Sequence, residues 1–99
     1  MAQIILTYRQ SLTTNDGREY TPVACGHQHP DGTWEGWLEF VPSDGEDVVQ
    51  SPRETTQPNR LDLEHWASGL TSVYFAGALD RALTAPPVAI AGSSEPPPV

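Results

Sequence analysis

The sequence predicts an α+β domain of two layers: an antiparallel meander of three to four strands, followed by one or two C-terminal helices packed on one face of it. Three observations lead there. Asp-Gly pairs recur at Asp16-Gly17, Asp31-Gly32 and Asp44-Gly45, and Asp-Gly between apolar stretches marks hairpin turns because both residues tolerate positive φ. The stretches between the pairs are rich in Val, Ile, Thr, Tyr, Trp and Phe, side chains that suit a pleated surface. Past Asn59 the apolar spacing becomes helical, with Leu63, Trp66, Ala67 and Leu70 on one stripe.

Strands are expected at residues 3–13, 18–28 and 33–42, with a shorter one at 47–51. If each Asp-Gly is a two-residue turn, Asn15 pairs with Arg18, Pro30 with Thr33, and Ser43 with Glu46. Tyr8 then lies opposite Cys25, Cys25 opposite Leu38, and Phe40 opposite Val49. One face collects Ile4, Leu6, Tyr8, Leu12, Val23, Cys25, Trp34, Leu38, Phe40 and Val49. A three-residue turn at Asn15-Asp16-Gly17 would put Pro22, Ala24 and Gly26 against the core side of the first strand, so the two-residue reading is preferred. Pro22 objects, because an internal strand cannot spare its donor. Either a bulge sits there, or the second strand pairs properly only from Val23 onward.

Residues 50–60, with Pro52 and Pro58, read as an irregular connector dense in polar side chains, expected to satisfy its own backbone and the helix start. Asn59 is the expected helix cap, with Asp62 in the first turn. Gly69 is a plausible stop and Thr71 or Ser72 a new cap. A second helix would run from about residue 73 to 83, burying Phe75, Leu79, Ala82 and Leu83. Whether this is one bent helix or two stays open. The domain is expected to span residues 1–84, and residues 85–99, which hold five of the ten Pro, to form a flexible tail.

The 99 residues allow a single domain. Thirteen acidic residues stand against five basic ones, all Arg, for a net charge of -8. That balance argues against direct contact with nucleic acid or anionic membrane, which need a cationic footprint. One Cys excludes an internal disulfide framework. No signal peptide, membrane-length apolar run or lipidation signal is visible, so a cytoplasmic protein is expected.

Candidate chemistry is sparse. Cys25, His27 and His29 alternate on one strand and share a face, and all three are competent zinc or copper ligands, with His65 a possible fourth. Against this, strand residues two apart are about 7 Å apart, which suits two ligands better than three. Cys25 is also expected to be a small buried hydrophobe, so no metal is expected. A nucleophilic Cys25 would need an electropositive pocket that five Arg hardly provide. Glu35 and Glu39 lie about 13 Å apart on a strand, too far for a carboxylate dyad. Asp44, Glu46 and Asp47 lack a calcium-loop spacing. No catalytic residue and no cofactor are expected.

The other face of the meander is more informative. It is expected to carry Ile5, Thr7, Arg9, Ala24, Gly26, Glu35, Trp37, Glu39, Val41 and Val48, with Trp37 spread over the bare backbone of Gly26. Two helices can cover only one face. An apolar strip with an aromatic anchor and charged flank marks an interaction site. Its expected members are Ile5, Arg9, Ala24, Trp37, Glu39, Val41 and Val48.

The segments Trp34-Glu35-Gly36-Trp37-Leu38-Glu39-Phe40, Arg53-Glu54-Thr55-Thr56-Gln57-Pro58-Asn59-Arg60 and Trp66-Ala67-Ser68-Gly69-Leu70, with Val73-Tyr74, Gly77-Ala78-Leu79 and Arg81-Ala82, resemble a family of short, free-standing hypothetical bacterial proteins. The resemblance spans most of residues 4–84 and implies no activity, cofactor or catalytic residue. The expected function is therefore that of a non-catalytic accessory subunit or adaptor, binding a protein partner or a second copy through the face around Trp37. A small metal-binding protein using Cys25, His27 and His29 is one alternative. An acidic decoy of a basic nucleic-acid-binding partner is the other.

Overall fold

All three Asp-Gly corners close with one local device. Gly17, Gly32 and Gly45 have φ of 85°, 92° and 80°, the left-handed region that Gly enters without a Cβ clash. The preceding Asp carboxylate accepts the backbone N–H two residues on: Asp16 from Arg18, Asp31 from Thr33 and Asp44 from Glu46. At the first corner the N–H of Thr14 donates to the carbonyl of Arg18 at 2.8 Å, and at the second that of His29 donates to Thr33 at 2.8 Å. The loops are therefore residues 15–17 and 30–32, three residues each, with the glycine alone in the left-handed position. This corrects the two-residue turns expected at the first two corners; the register across the third is the one expected.

The structure, a computed structural model, describes residues 2–84; the expected tail lies outside the described residues. Six strands form one antiparallel sheet: β1 (Gln3–Thr7), β2 (Leu12–Thr13), β3 (Glu19–Gln28), β4 (Trp34–Pro42), β5 (Val49–Gln50) and β6 (Thr55–Gln57). The spatial order is β1-β3-β4-β5, with β2 also alongside β3 and β6 also alongside β4. Two long central strands are thus flanked by two edges, each broken into short pieces. Helices α1 (Arg60–Ser68) and α2 (Ser72–Thr84) follow, giving the expected α+β arrangement.

One extra residue in each of the first two loops changes the register of β3 against its neighbours. Cys25 faces Trp37, Ala24 faces Leu38, Pro22 faces Phe40 and Gly26 faces Gly36. Slipping by one residue moves a strand's side chains to the opposite face, so β3 presents Tyr20, Pro22, Ala24 and Gly26 to the helices and turns Val23 and Cys25 away. That corrects the expected core membership of Val23 and Cys25, and the expected pairing of Cys25 with Tyr8. Ile4 is the residue opposite Cys25 on β1. Trp34, Leu38 and Phe40 of β4 are buried as expected, and Phe40 pairs with Val49 as expected.

Pro22 is accommodated by a gap. β1 pairs with β3 only as far as Thr7 opposite Val23, and β2 resumes at Leu12 opposite Tyr20. Among the described residues no ladder partner on that side faces Pro22, so its missing N–H breaks no ladder bond there. A β-bulge between Ile4 and Leu6 then puts two consecutive residues, Ile5 and Leu6, on the helix side.

The connector is more ordered than expected. Ser51 donates its N–H to the Leu38 carbonyl at 2.8 Å, and its Oγ accepts the Leu38 N–H at 3.0 Å. Pro52 and Arg53 bulge out, and the N–H of Glu54 rejoins the ladder at the Gly36 carbonyl. Residues 55–57 then pair with β4 as β6.

Helix α1 starts where the sequence says. The Asn59 Oδ1 accepts the Asp62 N–H at 2.8 Å, satisfying one orphan donor of the first turn, and Gly69 ends the helix. Thr71 starts a second, separate helix, its Oγ1 accepting the Tyr74 N–H. Leu63 of α1 sits directly over the Gly26–Gly36 pair: a Cβ on either glycine would lie 2.6 Å from a Leu63 methyl carbon. The core joins Tyr20, Ala24, Leu38 and Phe40 to Ala67, Phe75, Ala78 and Leu79. Tyr8 closes its side, stacking edge-on against Phe75 with 4.6 Å between ring centroids and donating its hydroxyl to the Ala67 carbonyl at 2.6 Å. Leu83, expected to be buried, is exposed near the end of α2.

Candidate interaction surface

The face of the sheet away from the helices is built by the two central strands. Along β3 it carries Thr21, Val23, Cys25, His27 and His29; facing these on β4 stand Val41, Glu39, Trp37, Glu35 and Thr33. β1 adds Ile4 beside Cys25 and Thr7 beside Val23. Gln50 and Thr56 flank Glu39 and Glu35 from the other edge.

Its centre is closed and its margins are open. Trp37 is only 7% exposed, and its indole N–H donates to Glu39 Oε2 at 3.2 Å. Cys25 is buried beside it. Ile4 is 64% exposed and Val41 41%, so the apolar atoms that reach solvent lie on either side of the Trp37 ring. The polar end near the second corner holds His27 and His29, with ring centroids 5.5 Å apart, and His29 Nε2 lies 2.8 Å from Glu35 Oε1.

The seven expected interface residues divide. Trp37, Glu39 and Val41 lie on this face. Ala24 does not: it is fully buried under the helices. Ile5 is turned to the helix side by the bulge, its Cγ1 3.2 Å from where a Gly26 Cβ would be. Arg9 lies exposed in the gap between β1 and β2, and Val48 exposed just before β5. The residues that sequence reasoning missed are Ile4, Val23 and Cys25. Two signals could have placed them: Pro22, which needs a gap on one side, and Gly26 with Gly36, which make a helix seat when paired.

The same register decides the chemistry available to Cys25. Burial pushes its thiol up to about 12, and the adjacent Glu39 carboxylate, hydrogen-bonded to it, pushes the same way. A thiol protonated at neutral pH is a poor nucleophile and a poor metal ligand. His29 is engaged with Glu35, and among the described residues no group of three or more His, Cys, Asp or Glu is placed to hold a metal ion. The acidic corners are occupied locally. A Thr14 hydroxyl hydrogen bond lowers the Asp16 pKa and a Thr33 one that of Asp31, while the Glu46 N–H does so for Asp44. Arg18 also reaches Asp44 at 3.3 Å, tying the first corner to the third.

On the opposite side, the connector is clasped to α2. The Glu54 side chain, 5% exposed, accepts the Tyr74 hydroxyl at 2.6 Å and pairs with Arg81 Nη2 at 2.6 Å. An open cleft of about 650 Å³ lies between the first corner and α2, with Leu12, Tyr20, Leu79 and Leu83 among its apolar lining and Arg18 and Asp80 among its polar lining.

No protein-family model, curated protein or solved structure matches this chain. No helix among the described residues is long and apolar enough to cross a membrane.

Proposed function

We propose that this protein is a non-catalytic interaction module, an accessory subunit or adaptor, that receives a protein partner or a second copy on the sheet face opposite its helices. One observation carries the reading: both helices pack on the same side, leaving Ile4 and Val41 exposed on the other, bracketing Trp37 and Cys25, with Glu35, Glu39, His27 and His29 around them. An apolar patch with a charged rim is the usual anatomy of a docking surface. Trp37 supports it from beneath by holding the face rigid, and Ile4 and Val41 make the contact. The protonated thiol and the engaged His29 weigh against the metal-binding alternative, and the acidic corners, each engaged with its own turn, weigh against the decoy.

Quantitative co-purification of the tagged full chain tests this. Val41→Lys should reduce recovery of the specific partner at least tenfold while leaving the melting temperature unchanged. Val73→Lys, at a position on α2 that is 81% exposed, should leave recovery intact. Equal recovery with both variants would refute the reading.

A further inference from the structure

The cleft between the first corner and α2 reaches the end of the helix. Along α2 it is lined by Ala76, Leu79, Asp80 and Leu83, a stripe at i, i+3, i+4 and i+7 on one face, and Thr84 is the last residue of α2. Across from this stripe stand Leu12 of β2 and Tyr20 of β3. Leu83 is 47% exposed and Ala76 is exposed as well, so apolar side chains of the last three turns face solvent along the cleft.

From this we infer that the chain's own residues 85–91 turn back and occupy the cleft, with Val88 against Leu83 and Ile90 against Leu79 and Ala76. The surface lies on the helix side of the sheet, so the inference stands apart from the reading of the opposite face. Three features of the sequence choose this occupant. Residues 85–91 read Ala-Pro-Pro-Val-Ala-Ile-Ala, and no charged residue occurs from 85 to 94, so neither Asp80 nor the net charge of -8 opposes their approach. Pro86 and Pro87 offer no N–H to the last carbonyls of α2 and disfavour helical φ/ψ at the residue before each, which diverts the chain from the helix direction just past the cleft. Spacing supplies the third. Side chains two apart on an extended segment share a side at about 6.5 Å, and Leu79 and Leu83 are one helical turn apart, about 6 Å, so the two pairs meet in step when the segment runs antiparallel to α2. The tether completes the case: with only residues 85–87 between α2 and Val88, the segment is held at the cleft at an effective concentration on the order of millimolar, and a small apolar contact suffices in the same chain.

Methyl NOE spectroscopy on the isotopically labelled full chain tests the inference. The expected result is cross-peaks from the Ile90 and Val88 methyl groups to those of Leu83, Leu79 and Ala76, unchanged on tenfold dilution. Leu83→Asp, at an exposed position, should remove these cross-peaks and lower the backbone heteronuclear NOE of residues 88–90 while leaving the melting temperature within a few degrees. Val73→Asp, on an exposed part of α2 outside the cleft, should leave both readouts as they are. A wild-type chain without cross-peaks between residues 88–90 and the cleft overturns the inference, as do cross-peaks that survive Leu83→Asp. Cross-peaks found only between differently labelled chains in a mixed sample overturn it too, and give the cleft to the segment of a second copy.

Discussion

The two sides of the β3–β4 ribbon solve opposite problems with the same alternation. Toward the helices the strands lose side chains where the helix must come close: Gly26 faces Gly36, and Leu63 fills the space. Away from the helices they keep side chains and mix them, pairing His27 with Glu35, Cys25 with Trp37 and Val23 with Glu39. A helix layer needs a smooth, indented surface, whereas a face without one must be held flat by its own cross-strand contacts. What assigns each side its role is loop length, because one residue more or fewer in the second corner exchanges the two faces of β3 relative to β4.

The largest test breaks that assignment. Deleting Asp31 leaves a two-residue corner. Either β3 or β4 must then turn over, sending Cys25 and Val23 under the helices or Leu38 and Phe40 out to water. Exposing a buried Leu or Phe costs about 1.5–3 kcal/mol each, against a total stability of about 5–15 kcal/mol for a domain of this kind. The expected outcome is loss of cooperative thermal unfolding, whereas Asp31→Ala, which keeps the length, should retain it. A deletion variant that melts like the wild type would show that loop length does not assign the faces.

A smaller effect sharpens the covered side. Leu63→Ala should cost about 3 kcal/mol, as buried leucines do. Gly36→Ala should cost about 2 kcal/mol by overpacking, because its new Cβ would meet Leu63 at 2.6 Å, Thr55 at 3.1 Å and Trp66 at 3.3 Å. The double variant should be more stable than the sum predicts by at least about 1 kcal/mol, since the methyl of one fills the void left by the other. Urea denaturation of the four proteins measures this coupling, and strict additivity would deny that Leu63 is seated by the glycines.

Much of this was legible in the residues. The Asn59 cap, the Leu63–Ala67 stripe, the Gly69 stop and the Asp-Gly corners are local signals, each set by a side chain acting on its own backbone. Parity was not legible, because Asp-Gly serves equally in a two-residue turn with both residues at positive φ and in a three-residue loop with only the glycine there. Apolar content could not break the tie, since Val23 and Cys25 are as apolar as Ala24. The break between β1 and β2 and the bulge at Ile5 then shifted the first strand twice more, so Ile4 and Ile5 exchanged faces relative to expectation while Leu6, Tyr8 and Leu12 still packed on the core. The proposed docking face inherited those errors at Ile5 and Ala24, and kept Trp37, Glu39 and Val41 because β4 was read in the correct phase.

The smallest expected effect separates the two sides by pH. Cys25, on the open side, is pushed from 9.0 to about 12, while Tyr8 and Tyr74, on the helix side, are pushed by burial from 10.0 to about 12. In each case the neutral form is favoured by folding. The associated stability is therefore complete below the unfolded-state value and is lost as pH rises toward the folded one. Between pH 9 and 10 the thiol begins this loss ahead of the two phenols, and the unfolded chain releases a proton there that the native state retains. Stability should fall by about 1 kcal/mol over that unit, and further between pH 10 and 12 as the tyrosines join. Cys25→Ala should flatten the first step and leave the second, as read from urea midpoints at pH 8, 9, 10 and 11. If the variant shows the same fall between pH 9 and 10, the thiol is not enclosed between Ile4, Trp37 and Glu39, and the open side lacks the rigid centre on which its margins depend.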